Sequence, residues 1–163
     1  AVHDHHGHED AVCGARLSPT AYVVVLALNV AWFSAGFWSF GMTPRRSAKI
    51  VVPSSLRQSP LFATLAESLR FLGGMNFAFA VFSLLCLLCM SWFPEARQRA
   101  LFAAVFAIAH ASQFVANLPV AFSGGRQGES YWDVLKGPML FIFSVDAALM
   151  LANGLLAALL LAA

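Results

Sequence analysis

Ala100-Leu-Phe-Ala-Ala-Val-Phe-Ala-Ile-Ala-His110-Ala-Ser-Gln113-Phe114-Val-Ala-Asn117-Leu-Pro119-Val-Ala-Phe122 is an almost unbroken apolar run with a few polar residues set into it. As a helix rising 1.5 Å per residue, it is long enough to cross a hydrocarbon core of about 30 Å. Its polar groups are not scattered. His110, Gln113, Phe114 and Asn117 stand at i, i+3, i+4 and i+7, which a helix places on one face. An imidazole and two amides on an otherwise apolar helix need partners, so neighbouring helices must supply them.

Composition points to a non-aqueous surround. Hydrophobic residues make up 60% of the 163-residue chain, charged residues only 11%, and the mean hydropathy is +0.73. A soluble domain carries roughly 25% charged residues. The net charge of +2 and the lack of a basic, aromatic-interleaved patch argue against a nucleic-acid partner. Fifteen Phe and four Trp suit lipid contact, helix packing or pigment contact equally. Of the three cysteines, Cys13 lies in a polar segment, and Cys86 and Cys89 sit in an apolar run without the polar helix start that a redox pair needs. They read as small packing groups.

Three further runs resemble the first. Ser18-Pro19 opens one over about residues 20–42, with serine as N-cap and proline at the first helical position. Asn29 is its one strong polar group, and Tyr22, Trp32 and Trp38 fit interfacial anchoring in part. Ser59-Pro60 opens a longer helix by the same logic, its membrane part over about 69–93. Glu67 and Arg70 form an i, i+3 pair at its mouth, Gly74 with Ala78 predicts a close helix approach, and Asn76 lies one turn deeper. Pro94 and Glu95 open the third helix, and Pro119 predicts a kink or an early end. Gly137-Pro138 opens the fourth span, over about 138–162, with Asp146 and Asn153 at i and i+7. Two long connections remain. The first includes Ile50-Val51-Val52, read as extended. The second holds Tyr131-Trp132, an interface anchor or a lid.

The fold class is therefore all-α: an integral membrane antiparallel four-helix bundle over residues 19–163, with a polar His-rich tail over 1–18. Arg16, Arg97 and Arg99 fall on one side, and Arg45, Arg46, Lys49, Arg57, Arg70, Arg126 and Lys136 on the other. The positive-inside bias predicts both termini outside or in a lumen and the long loops in cytoplasm, stroma or matrix. Comparing depths brings Glu67, Arg70, Asn76, Gln113, Asn117 and Asp146 into one half of the bundle, with His110, Asn153 and Asn29 nearer mid-membrane. Polar groups in lipid are costly and face a bundle interior or cavity, so a pocket toward the long-loop side is expected. The same groups also serve as interhelical hydrogen-bond glue, and an Asp146–Arg70 pair fits that role. His110 is a candidate ligand for a chlorophyll magnesium or a single-ligand haem. In the tail, His3, His5, His6 and His8 with nearby carboxylates form a candidate site for copper, zinc or nickel.

Leu69-Arg70-Phe71-Leu72-Gly73-Gly74 and His110 resemble the DoxX-like superfamily of small four-helix membrane proteins, which show an Arg, then Gly-Gly at the start of the second span, and a His in the third. The resemblance covers roughly residues 60–163. It implies an antiparallel four-helix bundle and quinone-linked, redox or assembly roles. The His-rich tail and the long second loop are not part of that pattern.

No nucleophile–base set, Walker loop or HExxH motif is present. The sequence leads first to a non-catalytic accessory subunit of a larger respiratory or photosynthetic membrane assembly, contacting lipid, pigment and other subunits. The alternative is a DoxX-like protein that binds or converts a small hydrophobic molecule, a quinone or sterol, in the polar pocket.

Overall fold

The structure, a computed structural model, describes residues 19–127 and 130–162. The candidate metal residues His3, His5, His6 and His8 lie outside the described residues, as does Cys13. The described residues are helical almost throughout. α1 spans Pro19–Gly36 and runs on into a π-helical turn, Phe37–Met42. α2 is Pro44–Val51, α3 Pro60–Leu88, α4 Ala96–Phe122 and α5 Gly137–Ala162. Arg126–Gln127 pairs with Ser130–Tyr131 in a two-residue antiparallel ladder. Four stretches are long and apolar enough to cross a membrane: the α1 stretch Thr20–Met42, and α3, α4 and α5.

Helical spacing decides which side chains turn inward. On α1 the fully buried residues are Tyr22, Leu26, Asn29 and Phe33, a stripe at steps of four, three and four. On α3 they are Ala66, Gly73, Asn76, Ala80, Ser83 and Cys86. These small residues let α1 pack closely along α3. α5 buries Met139, Asp146, Leu149, Asn153 and Leu156 and packs along α4.

The two ends of the molecule differ. At one end Tyr22, Cys86, Leu156 and Ala157 join Leu26, Phe33, Ala103 and Phe106 in the apolar core. Phe33, Phe79, Phe82, Phe102 and Phe106 tile the space between α1, α3 and α4, with ring centroids 5.1–6.4 Å apart. Arg99 caps this end over the Tyr22 ring, 5.7 Å from its centroid. At the other end the two long connections meet: Val52, Pro53 and Arg57 line a common cleft with Trp132 and Asp133.

Several local expectations change. Ile50 and Val51 are helical, not extended, because Pro44, Ser47, Ala48 and Val51 recur at helical spacing. Pro44, Ser47 and Ala48 turn inward, while Arg45, Arg46 and Lys49 face out. Arg57 folds back on the end of α2, donating to the carbonyls of Lys49 (2.7 Å) and Val52 (2.9 Å), groups that no helical N–H reaches. α4 does not stop at Pro119 but runs through it to Phe122. Glu95 precedes α4 as its N-cap, one residue earlier than a first-turn position.

The close helix approach falls on Gly73, not on Gly74 and Ala78. A Cβ at Gly73 would collide with the Gly41 backbone of the π turn, whereas one at Gly74 would meet nothing within 4 Å. The π turn itself is closed by Thr43 N–H donating to the Trp38 carbonyl at 3.0 Å. The carbonyls it loosens are taken up locally: Ser47 Oγ donates to Ser39 O (2.7 Å) and Arg70 Nη1 to Gly41 O (3.2 Å). Gly73→Ala is therefore expected to lower stability by about 1–3 kcal/mol through overpacking, while Gly74→Ala leaves it unchanged or raises it by up to about 1 kcal/mol. Thermal unfolding in detergent distinguishes the two; equal midpoints would contradict the Gly41–Gly73 contact.

Candidate functional site

Three helices each send polar side chains to one buried point. α1 contributes Asn29 and Trp32, α4 contributes His110, and α5 contributes Asp146 and Asn153. His110 and Asn153 are 0% exposed, as is Asn29, and Asp146 is 1% exposed. His110 Nδ1 lies 3.1 Å from Asp146 Oδ1, and His110 Nε2 lies 3.0 Å from Asn29 Oδ1. Trp32 Nε1 donates to the same Asp146 Oδ1 at 2.9 Å. Asn29 Nδ2 donates to Asn153 Oδ1 at 2.9 Å, and Asn153 Nδ2 donates to Asn29 Oδ1 at 3.0 Å and to Leu149 O at 2.8 Å.

This network fixes its own protons. The Leu149 carbonyl can only accept, so the Asn153 amide nitrogen must face it. That nitrogen also meets Asn29, so Asn29 turns its oxygen toward Asn153 and, with it, toward His110. His110 Nε2 therefore carries a proton. At the other side the Trp32 indole can only donate, so Asp146 Oδ1 accepts from it. A second proton lies between His110 Nδ1 and Asp146 Oδ1. Whether it rests on nitrogen or oxygen, the pair holds two protons and has zero net charge. A buried pair of this kind avoids the cost of an isolated charge in a low-dielectric interior. Phe33 stacks on the imidazole, with centroids 4.7 Å apart and planes at 15°.

The other predicted residues lie outside this network. Glu67 and Arg70 pair with each other at 2.7 Å on the exposed face, 53% and 57% exposed, and do not meet Asp146. The Asp146–Arg70 pair is replaced by Asp146 with His110 and Trp32, because Arg70 turns to the Gly41 carbonyl instead. Asn76 is buried, with its amide bonded to the Leu72 carbonyl at 2.8 Å. Asn117 donates to the Gln113 carbonyl (2.8 Å) and accepts from Trp132 Nε1 (3.2 Å), which ties the second long loop to α4. Gln113 is half-buried and its side-chain amide bonds to none of the described residues.

A cavity of about 760 Å³ opens beside this network, toward the long connections. Leu65, Leu69 and Leu72 of α3, Ala116 of α4 and Ile142 of α5 line its apolar wall, and Ser47, Gln113, Asn117, Trp132 and Asp146 supply its polar atoms. Two smaller cavities, about 410 and 230 Å³, both include Asn76 and Gln113. Gln113 thus stands where all three spaces meet.

Trp32, read from sequence as an interfacial anchor, is part of the network, and Asn29 is its hub. The stripe Tyr22, Leu26, Asn29, Phe33 carried the signal for Asn29: a polar residue in register with three large apolar ones. Both ring nitrogens of His110 are engaged and the ring is fully buried, so it offers no lone pair to a chlorophyll magnesium or haem iron. Among the described residues no group of three or more His, Cys, Asp or Glu could hold a metal ion. Comparison with protein-family models, curated proteins and solved structures finds no match for this chain.

The two α1-stretch tryptophans separate network from surface. Trp32→Phe keeps the ring contact with Phe141 (5.7 Å) but removes one donor from Asp146. A loss of about 1.5–3 kcal/mol is expected, read as a lower thermal midpoint. Trp38→Phe, at a site 63% exposed, is expected to leave the midpoint unchanged. Equal behaviour of the two variants would contradict the network.

Proposed function

We propose that this chain is a multi-pass integral membrane protein, an antiparallel four-helix bundle, that binds a small hydrophobic molecule in the cavity between its long-loop ends. One observation carries this: a carboxylate only 1% exposed, Asp146, lines a cavity of about 760 Å³ whose remaining wall is mostly apolar. Small-molecule sites have this character, an apolar pocket of about 300–1,000 Å³ with few convergent polar groups. A buried carboxylate needed only to hold helices together would be packed on all sides. The asymmetry of the bundle agrees with binding: aromatic rings fill one half, and the half with the long connections stays open. The DoxX-like resemblance at Leu69–Gly74 and His110 is in keeping with a quinone- or sterol-sized ligand. The distribution of Arg and Lys supports a topology with the long connections in cytoplasm, stroma or matrix and the termini on the opposite side.

A second function, as an accessory subunit of a larger membrane assembly, is favoured by the outer surface near the long connections. Phe71 and Phe122 are 83% and 86% exposed there, and a neighbouring subunit or lipid would cover them.

One preparation tests both. The chain is solubilised gently from its native membrane, separated by native electrophoresis, and its band analysed by mass spectrometry for proteins and for extracted small molecules. Binding predicts a hydrophobic molecule in near-stoichiometric amount. It also predicts that Ala116→Trp, which fills the cavity, removes that molecule while leaving unfolding stability within about 1 kcal/mol of the ligand-free parent. A large assembly whose small-molecule content is unaffected by Ala116→Trp would contradict the cavity and leave the subunit role.

A further inference from the structure

We propose that the molecule held in the cavity is a hydroxyl-bearing hydrophobe, an alcohol or phenol, whose O–H donates to Asp146 Oδ2 while the Gln113 amide makes the second polar contact. This rests on the cavity being a binding site and names the chemistry of its occupant.

Asp146 has two oxygens with different surroundings. Oδ1 accepts from Trp32 Nε1 and faces His110 Nδ1. Oδ2 has no partner among the described residues. No fully buried side-chain nitrogen or oxygen among those residues lacks a partner, so Oδ2 keeps contact with the cavity that Asp146 lines. The proton arrangement then decides what Oδ2 can do. With the shared proton on His110, Asp146 is a carboxylate and Oδ2 accepts. With the proton on Oδ1, aimed at His110 Nδ1, Oδ2 is a carbonyl-type oxygen and still accepts. A proton on Oδ2 would leave a bare Nδ1 facing a bare Oδ1 at 3.1 Å, two acceptors in contact. Oδ2 is an acceptor in both workable states, so its ligand must donate.

That condition separates chemical classes of similar shape. Ketones, quinones, ethers and esters bring only acceptor oxygens and would meet Oδ2 acceptor to acceptor. Alcohols, phenols and quinols bring the donor. An amine also donates, but the His110–Asp146 pair already sums to zero charge, so an ammonium would enter an apolar space without a counter-charge. Gln113 has both a donor and an acceptor on its free amide and suits a hydroxyl oxygen, which can accept while its proton is donated to Asp146. Leu65, Leu69, Leu72 and Ile142 take the apolar body.

The test uses the full chain, purified in mild detergent and titrated with a long-chain 4-alkylphenol and, separately, its O-methyl ether, followed by tryptophan fluorescence. Trp32 bonds to Asp146 and Trp132 lines the cavity, so both report on occupancy. The phenol is expected to bind about tenfold or more tighter than the ether. Gln113→Leu, which leaves the Asp146 network untouched, is expected to weaken the phenol several-fold. Asp146→Asn, which turns an N–H toward the cavity, is expected to abolish or reverse the preference. Equal affinity of phenol and ether in the parent protein would overturn this inference while leaving the cavity as a binding site. If neither compound binds, or if Ala116→Trp leaves both signals unchanged, the binding site itself is overturned and the inference with it.

Discussion

A polar group inside an apolar bundle is stable only if every hydrogen-bonding atom finds a partner, and in this protein that constraint joins three helices at one point. Asn29, His110, Asp146 and Asn153 are each at most 1% exposed. None would be tolerable alone, because an unpaired buried amide or charge costs several kcal/mol. Together they close a chain from the Leu149 carbonyl through two amides and an imidazole to a carboxylate and an indole. The order of that chain sets helix rotation: α1, α4 and α5 must each turn one particular face inward, or several bonds fail together.

The network also divides the molecule. On one side lie the stacked and tilted phenylalanines and the small-residue face of α3, which leave little space. On the other side lie α2, the π turn, the two long connections and the cavity. Gly73 lies against Gly41 there, so the π turn, not a bulky side chain, sets where α1 and α3 stay in contact before the cavity opens. The polar end of the cavity is thus the outward-facing side of the same carboxylate that holds the helices in place. Packing uses one oxygen of Asp146, Oδ1, and the proposed binding uses the other.

Much of this was legible in the sequence, for physical reasons that can be named. Four long apolar runs stand out by length and by Pro or Ser-Pro starts. His110, Asp146 and Asn153 stand out because polar residues are rare in such runs. Depth counting was less informative for Glu67 and Arg70, since residues at one depth still differ by their angle around the helix, and these two point outward. Trp32 was hidden because a tryptophan in an apolar stretch suits an interface as well as a buried donor, although it lies near the middle of Thr20–Met42. Ile50-Val51 read as extended because three successive β-branched residues follow Lys49, whereas the helix start at Pro44 and the inward spacing of Ser47 and Ala48 were the signals that decide for helix. The π turn has no sequence signature at all beyond a glycine, Gly41, near a span end.

The most direct measurement is a double-mutant cycle on His110 and Asp146, using His110→Ala, Asp146→Ala and the double variant in reversible unfolding from detergent. If the pair is the constraint described, each single change leaves a buried polar partner uncompensated and costs about 3–5 kcal/mol. The double change should then cost little more than either alone, giving a coupling of about 2 kcal/mol or more. Additive losses, with coupling within about 0.5 kcal/mol of zero, would contradict the account, because they would mean that the two residues contribute separately and that no shared proton ties α4 to α5.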